Sequence, residues 1–326
     1  MNFQSIPPIE QSSAYLDFAF RRARERGIEK DFKGNWLQKI RQKECLKIDT
    51  ITGTLIARLD KTLQTLPGLR DLAPFYIKLM ILTLDYPLYK QSCASIPWAI
   101  KKIRFLQKDY IQKINQLTEN NRIKQTSTEF YGRISSVLKQ INNNLKYLEE
   151  SRRIMKTYPD IKEMFTVCIY GFPNVGKTTL LNKLTGTTAK VAPYAFTTLT
   201  INSGHMKLAG ETIQVLDVPG TLARKEKMNL IELQADLVLK ELANIIIYVF
   251  DISEYGGYSV KKQEQLLQNL KKDRKVLVYI SKTDLVEPTI LQEFNYKHYS
   301  IEEIKEEIIE LLKKMKTERE ENNSEN

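Results

Sequence analysis

The sequence predicts an α + α/β protein, with a helical bundle followed by a mostly parallel sheet covered by helices on both faces. Three observations lead there. Up to about Tyr158, apolar residues recur at three- and four-residue spacing with Lys and Arg between them, as in amphipathic helices. After Pro159 the rhythm changes to short apolar runs alternating with helical stretches. Charge divides at the same place. Residues 1 to 160 hold 28 Lys and Arg against 16 Asp and Glu, net +12, whereas the remainder holds 22 against 23.

Taken in order, "SSAYLDFAFRRARERG" begins with serine caps at Ser12 and stops at Gly27, and long helical segments follow at about Phe32 to Leu66 and Pro74 to Leu84. "PWAIKKIRFLQKDYIQKINQL" and "EFYGRISSVLKQINNNLKYLEESRRIMKTY" continue the bundle. The strand candidates are "MFTVCIYG", "TIQVLDVPG", "NIIIYVFD" and "KVLVYISK". The expected division is a basic helical domain at 1–160, an α/β domain at 161–316 and a frayed polar tail at 317–326.

Composition removes several function classes. The longest apolar run is far shorter than the roughly 20 residues that span a bilayer, and "MNFQSIPPIEQ" lacks a signal-peptide pattern, which predicts a cytoplasmic protein. Cys45, Cys93 and Cys168 are odd in number and widely spaced, which argues against a disulfide framework or a paired-cysteine zinc site and suggests reduced core residues. His205 and His298, the two histidines, are too few for a histidine-based metal centre or triad.

The segment "GFPNVGKTTL" stands at the first strand-to-helix turn. Gly171 and Gly176, followed by Lys177 and Thr178, match G-x-x-x-x-G-K-[ST], in which glycines let backbone N–H groups face phosphates. Phe172, Pro173, Asn174, Val175 and Thr179 complete this cradle. Lys177 supplies a point charge to the β and γ phosphates, Thr178 a hydroxyl for Mg²⁺, and the following helix its positive end. "DVPG" ends another strand candidate, offering Asp217 to Mg²⁺ through water and the Gly220 amide to the γ-phosphate. In "SKTD", Asp284 can accept two N–H bonds from guanine and the Lys282 stem can cover the base. That favours GTP and GDP over adenine nucleotides.

These residues resemble the nucleolar GTP-binding protein (Nog) family of the Obg-like group, in its short archaeal-type form. "GFPNVGKTTLLNKLT", "VAPYAFTTLTINSGH", "DVPGTL", "NLIELQADLVLKELA" and "DISEYGGYS" are similar to the family's characteristic stretches, and "FAFRRARERG" to its helical N-terminal domain. The resemblance implies a Ras-like P-loop GTPase domain with a mostly parallel six-stranded sheet. It also implies a role in large-subunit maturation, with the helical domain on ribosomal RNA and ribosome assembly factors as partners. Carried over by position, Thr198 in "FTT" is the switch-one Mg²⁺ ligand, with Thr197 as fallback. Ser281 stands where the base motif usually has asparagine, which suggests looser nucleotide affinity. Ser300 in "KHYSIEE" is the best match to the last guanine-contacting loop, with Ile301 in place of the usual alanine.

Thr221 and Leu222 stand where many GTPases place a water-orienting glutamine, so slow hydrolysis is expected. Asn174 could ligate K⁺, as in related GTPases, or could simply tolerate a turn backbone. Basic clusters at Arg21, Arg22, Arg24 and Arg26, at Lys101, Lys102, Arg104 and Lys108, and at Arg152, Arg153 and Lys156 are candidates for RNA phosphates. The Tyr and Phe residues among them read as core rather than base-stacking groups. The leading expectation is a monomeric, GTP-controlled assembly factor that binds no membrane. A GTPase component of a tRNA-modification complex and a signalling or membrane-surface GTPase stay open beside it.

Overall fold

The computed structural model describes residues 3–29, 32–68, 72–158, 161–162, 164–186, 190–193, 200–218, 230–270 and 275–324. The chain forms two compact units, Met1–Leu72 with Thr83–Thr157, and Ala73–Leu82 with Tyr158–Asn326. Among the described residues the chain runs through helices α1 (Ser12–Glu29), α2 (Trp36–Thr65), α3 (Pro74–Thr83), α4 (Tyr86–Gln116), α5 (Asn120–Gln140) and α6 (Asn142–Met155) before the first strand.

In the first unit α2 starts where Asn35 and Gln38 cap each other reciprocally, each side chain accepting from the other's amide at 2.9 and 3.0 Å. Ile48, Ile51, Leu55 and Leu59 form its buried stripe at helical spacing, and Ile96, Ile103, Tyr110 and Ile114 do the same on α4. Phe130 and Ile134 of α5 and Leu145 and Leu148 of α6 close the core. A buried glutamate, Glu44, is compensated by Lys47 at 2.7 Å and by the Ser127 hydroxyl at 2.6 Å.

Glu149 on α6 ties down the N-terminal segment. It accepts from the Ile9 amide at 2.9 Å and takes a two-point contact from Arg152 at 2.7 Å for each bond. Arg152 also donates to the Ile6 carbonyl at 3.3 Å and is buried. Its charge is therefore spent inside the bundle, which removes Arg152 from the third basic cluster. The Arg152 hydrogen bonds, with the Ile9 amide and Arg153, hold the Glu149 carboxyl down at about 2. A depressed carboxyl stabilises the fold above its ordinary value of 4.5 and loses that contribution as pH falls from there toward 2. Glu149→Gln is expected to cost the helical unit about 2 kcal/mol near neutral pH. Denaturant melts should show the variant and the parent converging as the pH approaches the depressed value.

The second unit is built on strands β1 (Thr166–Tyr170), β2 (Lys190–Pro193), β3 (Thr200–Leu208), β4 (Glu211–Asp217), β5 (Ile245–Asp251) and β6 (Val276–Ser281). Helices α7 (Lys177–Thr185), α8 (Leu230–Glu241), α9 (Val260–Leu270), α10 (Pro288–Gln292) and α11 (Ile301–Ser324) connect or follow them. The sheet order is β2-β3-β4-β1-β5-β6, parallel across β4-β1-β5-β6 and antiparallel across β2-β3-β4. It is thus a mixed sheet with a parallel centre. β1 and β5 are buried at every residue, which explains why they read as continuous apolar runs.

Two outcomes differ from the sequence expectations. Packing groups α3 with the second unit, where the Tyr76 hydroxyl accepts from the Ile161 amide at 2.9 Å and Lys78 pairs with Glu241 at 2.8 Å. The segment from Thr317, expected to fray, continues α11 to Ser324. Glu, Lys and Arg are good helix formers, and Lys314 pairs with Glu310 one turn earlier. No helix among the described residues is long and apolar enough to cross a membrane. Pro159 lies outside the described residues.

Candidate nucleotide-binding site

The carboxyl ends of β1, β4, β5 and β6 lie side by side in the sheet, and every candidate side chain described below follows one of them or lies across from one. β1 ends at Tyr170 and the chain must turn out of the sheet at once. Gly171 makes the exit with φ +151°, so close to β5 that a Cβ would stand 2.7 Å from the Val249 carbonyl oxygen. Asn174 at φ 61° and Gly176 at φ 92° are both left-handed, which folds the loop back so that α7 can start at Lys177. Asparagine tolerates that backbone without any ligand. Its side chain is exposed, as is that of Thr179, while Phe172 and Val175 are buried and Pro173 is half-buried.

Lys177 is 9% exposed and donates to the Phe172 carbonyl at 2.9 Å, so its ammonium is folded over the loop. Burial lowers its pKa against the opposing pull of Asp217. The Thr178 hydroxyl donates to Asp217 at 2.5 Å, and the Asn202 side-chain amide donates to the same carboxylate oxygen at 3.1 Å. Hydroxyl and carboxylate oxygens held this close form a hard donor set that fits Mg²⁺. Thr197, Thr198, Gly220, Thr221 and Leu222 lie outside the described residues.

At the base side, the Ser281 hydroxyl donates to the Val175 carbonyl at 2.6 Å and the Phe250 carbonyl at 3.2 Å, so it fastens the phosphate loop to the sheet. Lys282 takes a left-handed φ of 53° and sends its ammonium to Asp251 at 2.7 Å. Asp284 is exposed in the turn Thr283–Leu285. Ser300 and Glu303 form a reciprocal cap at the start of α11, with bonds of 2.7 and 3.3 Å, and Ile301 is the first helical residue. The Ser300 hydroxyl is therefore engaged by its own helix.

Two family models match the chain in succession, up to residue 282. One described as the NOG1 N-terminal helical domain matches residues 3–162, and one described as 50S ribosome-binding GTPase matches residues 166–282. An uncharacterized protein of Methanocaldococcus jannaschii is 36% identical over 289 residues, 87% of this chain and 81% of that one. The chain belongs to the nucleolar GTP-binding protein (Nog) family. Nucleolar GTP-binding protein 1 of Drosophila melanogaster is 31% identical over 297 residues, and that of Arabidopsis thaliana 30% over 322. They are matched over 90% and 97% of this chain, which spans 46% of the length of each.

In this Nog-family chain the second unit is a P-loop GTPase domain, and four residues in it, Asp251, Gln263, Tyr258 and Asn202, carry contacts that motif reading passed over. Asp251 is fully buried and gathers Lys282, the Ser253 amide at 3.1 Å, the Ser253 hydroxyl and the Gly256 amide at 2.9 Å. Gln263 locks the same corner, accepting from the Asp251 amide at 2.9 Å and donating to the Asp251 and Tyr258 carbonyls at 2.8 and 2.9 Å. Phe172 of the phosphate loop stacks on Tyr258 at 4.4 Å, so the loop after β5 is a wall of the site. Asn202 reaches Asp217 because the two are direct partners across β3 and β4. "DISEYGGYS" gave a signal for Asp251, whereas Asn202 shows itself only through strand register.

Proposed function

We propose that this chain is a cytoplasmic, monomeric GTP switch in maturation of the large ribosomal subunit. It binds ribosomal RNA through its basic helical unit and hydrolyses GTP slowly. The observation that carries this is the meeting of the Lys177 loop, the Thr178–Asp217 pair and the Lys282–Asp284 turn at one sheet edge, in a chain whose helical half matches the NOG1 N-terminal model and whose residues 166–282 match the 50S ribosome-binding GTPase model. The matched description, a 50S ribosome-binding GTPase, supports the ribosomal assignment.

Loop amides, the N-terminal end of α7 and the Lys177 ammonium bind and orient the phosphates. Asp284 selects guanine by accepting from its Watson–Crick edge, and Lys282, steadied by Asp251, covers the base. Thr178, Asp217 and Thr198 would hold Mg²⁺, which when bound neutralises charge on the β and γ oxygens. Water adds to the γ-phosphorus and the bond to the β-phosphate oxygen breaks, leaving GDP and phosphate. The Gly220 amide senses whether the γ-phosphate is there, which couples turnover to affinity for RNA.

Sedimentation through a ribosomal gradient tests the assignment. Co-migration with large-subunit precursors is expected with a non-hydrolysable GTP analogue and not with GDP. Migration independent of nucleotide, or pelleting with anionic liposomes instead, would overturn it.

Asn174 is the residue for a K⁺ ligand beside the transferred phosphate. Initial GTPase rates should be at least severalfold higher in K⁺ than in Na⁺. Asn174→Gly, which keeps the left-handed backbone and removes the amide oxygen, should abolish the difference. Equal rates in the two salts, or an unchanged K⁺ response in the variant, would reject the ligand role.

A further inference from the structure

Helix α4 carries two large aromatic residues on its solvent face. Trp98 is 45% exposed and Phe105 is 62% exposed. The aromatic positions among the basic clusters had read as core, and Tyr110, 3% exposed, is core. Phe105 is not, because it falls on the opposite face of α4 from the buried stripe at Ile96, Ile103 and Tyr110. Lys101, Lys102, Arg104 and Lys108 are exposed around the two rings. The helix has one acidic residue, Asp109, which pairs with Lys113 at 2.8 Å, and among the described residues no carboxylate pairs with any of the four cations. The Lys102 ammonium lies 5.5 Å from the centre of the Phe105 ring.

We propose that this face of α4 binds single-stranded RNA, with Trp98 and Phe105 stacking on unpaired bases and Lys101, Lys102, Arg104 and Lys108 contacting the phosphates. The proposal rests on the assignment of RNA contact to the helical unit and specifies the form of RNA. Charge complementarity selects a polyanion, and the rings select one with accessible π-faces. A duplex keeps its bases stacked inside, where an aromatic side chain cannot lie against them. Seven residues of helix place the two rings roughly 10 Å apart along the axis. Stacked nucleotides repeat at about 3.4 Å. The spacing thus suits splayed bases of an unstacked strand.

The chain has two tryptophans, so Trp36→Phe leaves Trp98 as the sole indole reporter. The probes are an oligouridylate of about 12 nucleotides and an RNA duplex of equal length, a size that spans both rings. The single strand should quench Trp98 emission and bind more tightly than the duplex. With labelled RNA followed by anisotropy, Trp98→Ala and Phe105→Ala should each weaken single-strand binding by at least about fivefold, as loss of one stacked base does, and leave duplex binding unchanged. Phe105→Leu, which keeps apolar bulk without a ring, should weaken binding as alanine does. Unquenched Trp98 at saturation, or unaltered single-strand affinity in both alanine variants, overturns the proposal. If both RNAs bind equally and the aromatic variants are silent, RNA contact by the basic unit survives and base stacking falls. If neither RNA binds, both fall together.

Discussion

Gly171→Ala should lower GTP affinity on the order of a hundredfold, although it adds a single methyl group. The residue sits at φ +151°, where an L side chain is strained, and the new Cβ would stand 2.7 Å from the Val249 carbonyl oxygen and 3.2 Å from the Val175 side chain. The carbonyl belongs to β5 and cannot swing away as a flexible side chain would. The loop must therefore lift from the sheet, carrying its amides and Lys177 away from the phosphates. Strain of this kind costs about 1–3 kcal/mol before any lost contacts are counted. Gly132 is the control: it lies within α5 and a Cβ there meets nothing within 4 Å. Gly132→Ala should leave nucleotide affinity untouched and stabilise the protein by about 0.5–1 kcal/mol. Calorimetric titration of both variants with GDP and Mg²⁺ compares them. Unchanged affinity in Gly171→Ala would mean that the phosphates do not rest on this loop.

The second large effect belongs to Asp251. Its side chain is 1% exposed, against 25% for the Lys282 partner, so the pair lies at the margin of the interior. Burial alone would raise the Asp251 carboxyl, yet Lys282, Ser253 and the Gly256 amide together hold it below its ordinary value. Asp251→Ala leaves an ammonium and several donors without their acceptor, an expected loss of about 3–5 kcal/mol in the second unit. Nucleotide affinity should fall further than stability, because Lys282 loses its anchor and the wall bearing Tyr258 loosens together. Lys282→Met leaves the buried carboxylate with its Ser253 and Gly256 donors and should cost less. In a denaturation cycle, the double variant should be less destabilised than the sum of the singles. Additive losses would show that the pair is not coupled. Because the folded carboxyl is depressed, this contribution is complete at neutral pH and fades only as pH falls below the ordinary carboxylate value of 3.8.

Much of the site could be read from the sequence because its signals are local. Gly171 to Thr178 is one turn between a strand and a helix, so the order of residues nearly dictates which backbone amides face outward. Asp217, Ser281 and Asp284 follow strand candidates, and strand ends are visible in hydropathy. Other roles could not be read because they depend on where distant segments meet. Ser281, in the base motif, also bonds Val175, 106 positions earlier in the chain.

The order of residues by itself determined the phosphate loop, the family and the division into a basic helical half and an α/β half. The loop and the division follow from spacing over a turn of helix or strand and from charge counting, and the family from the likeness of longer stretches to its characteristic ones. Tertiary packing alone decided that Asp251 holds Lys282, that Asn202 supports Asp217, that Arg152 is neutralised inside the bundle and that Phe105 faces water. Those outcomes depend on strand register and on which side of a helix its neighbours cover. Both are set by burial summed over the whole fold, which no short stretch of sequence encodes.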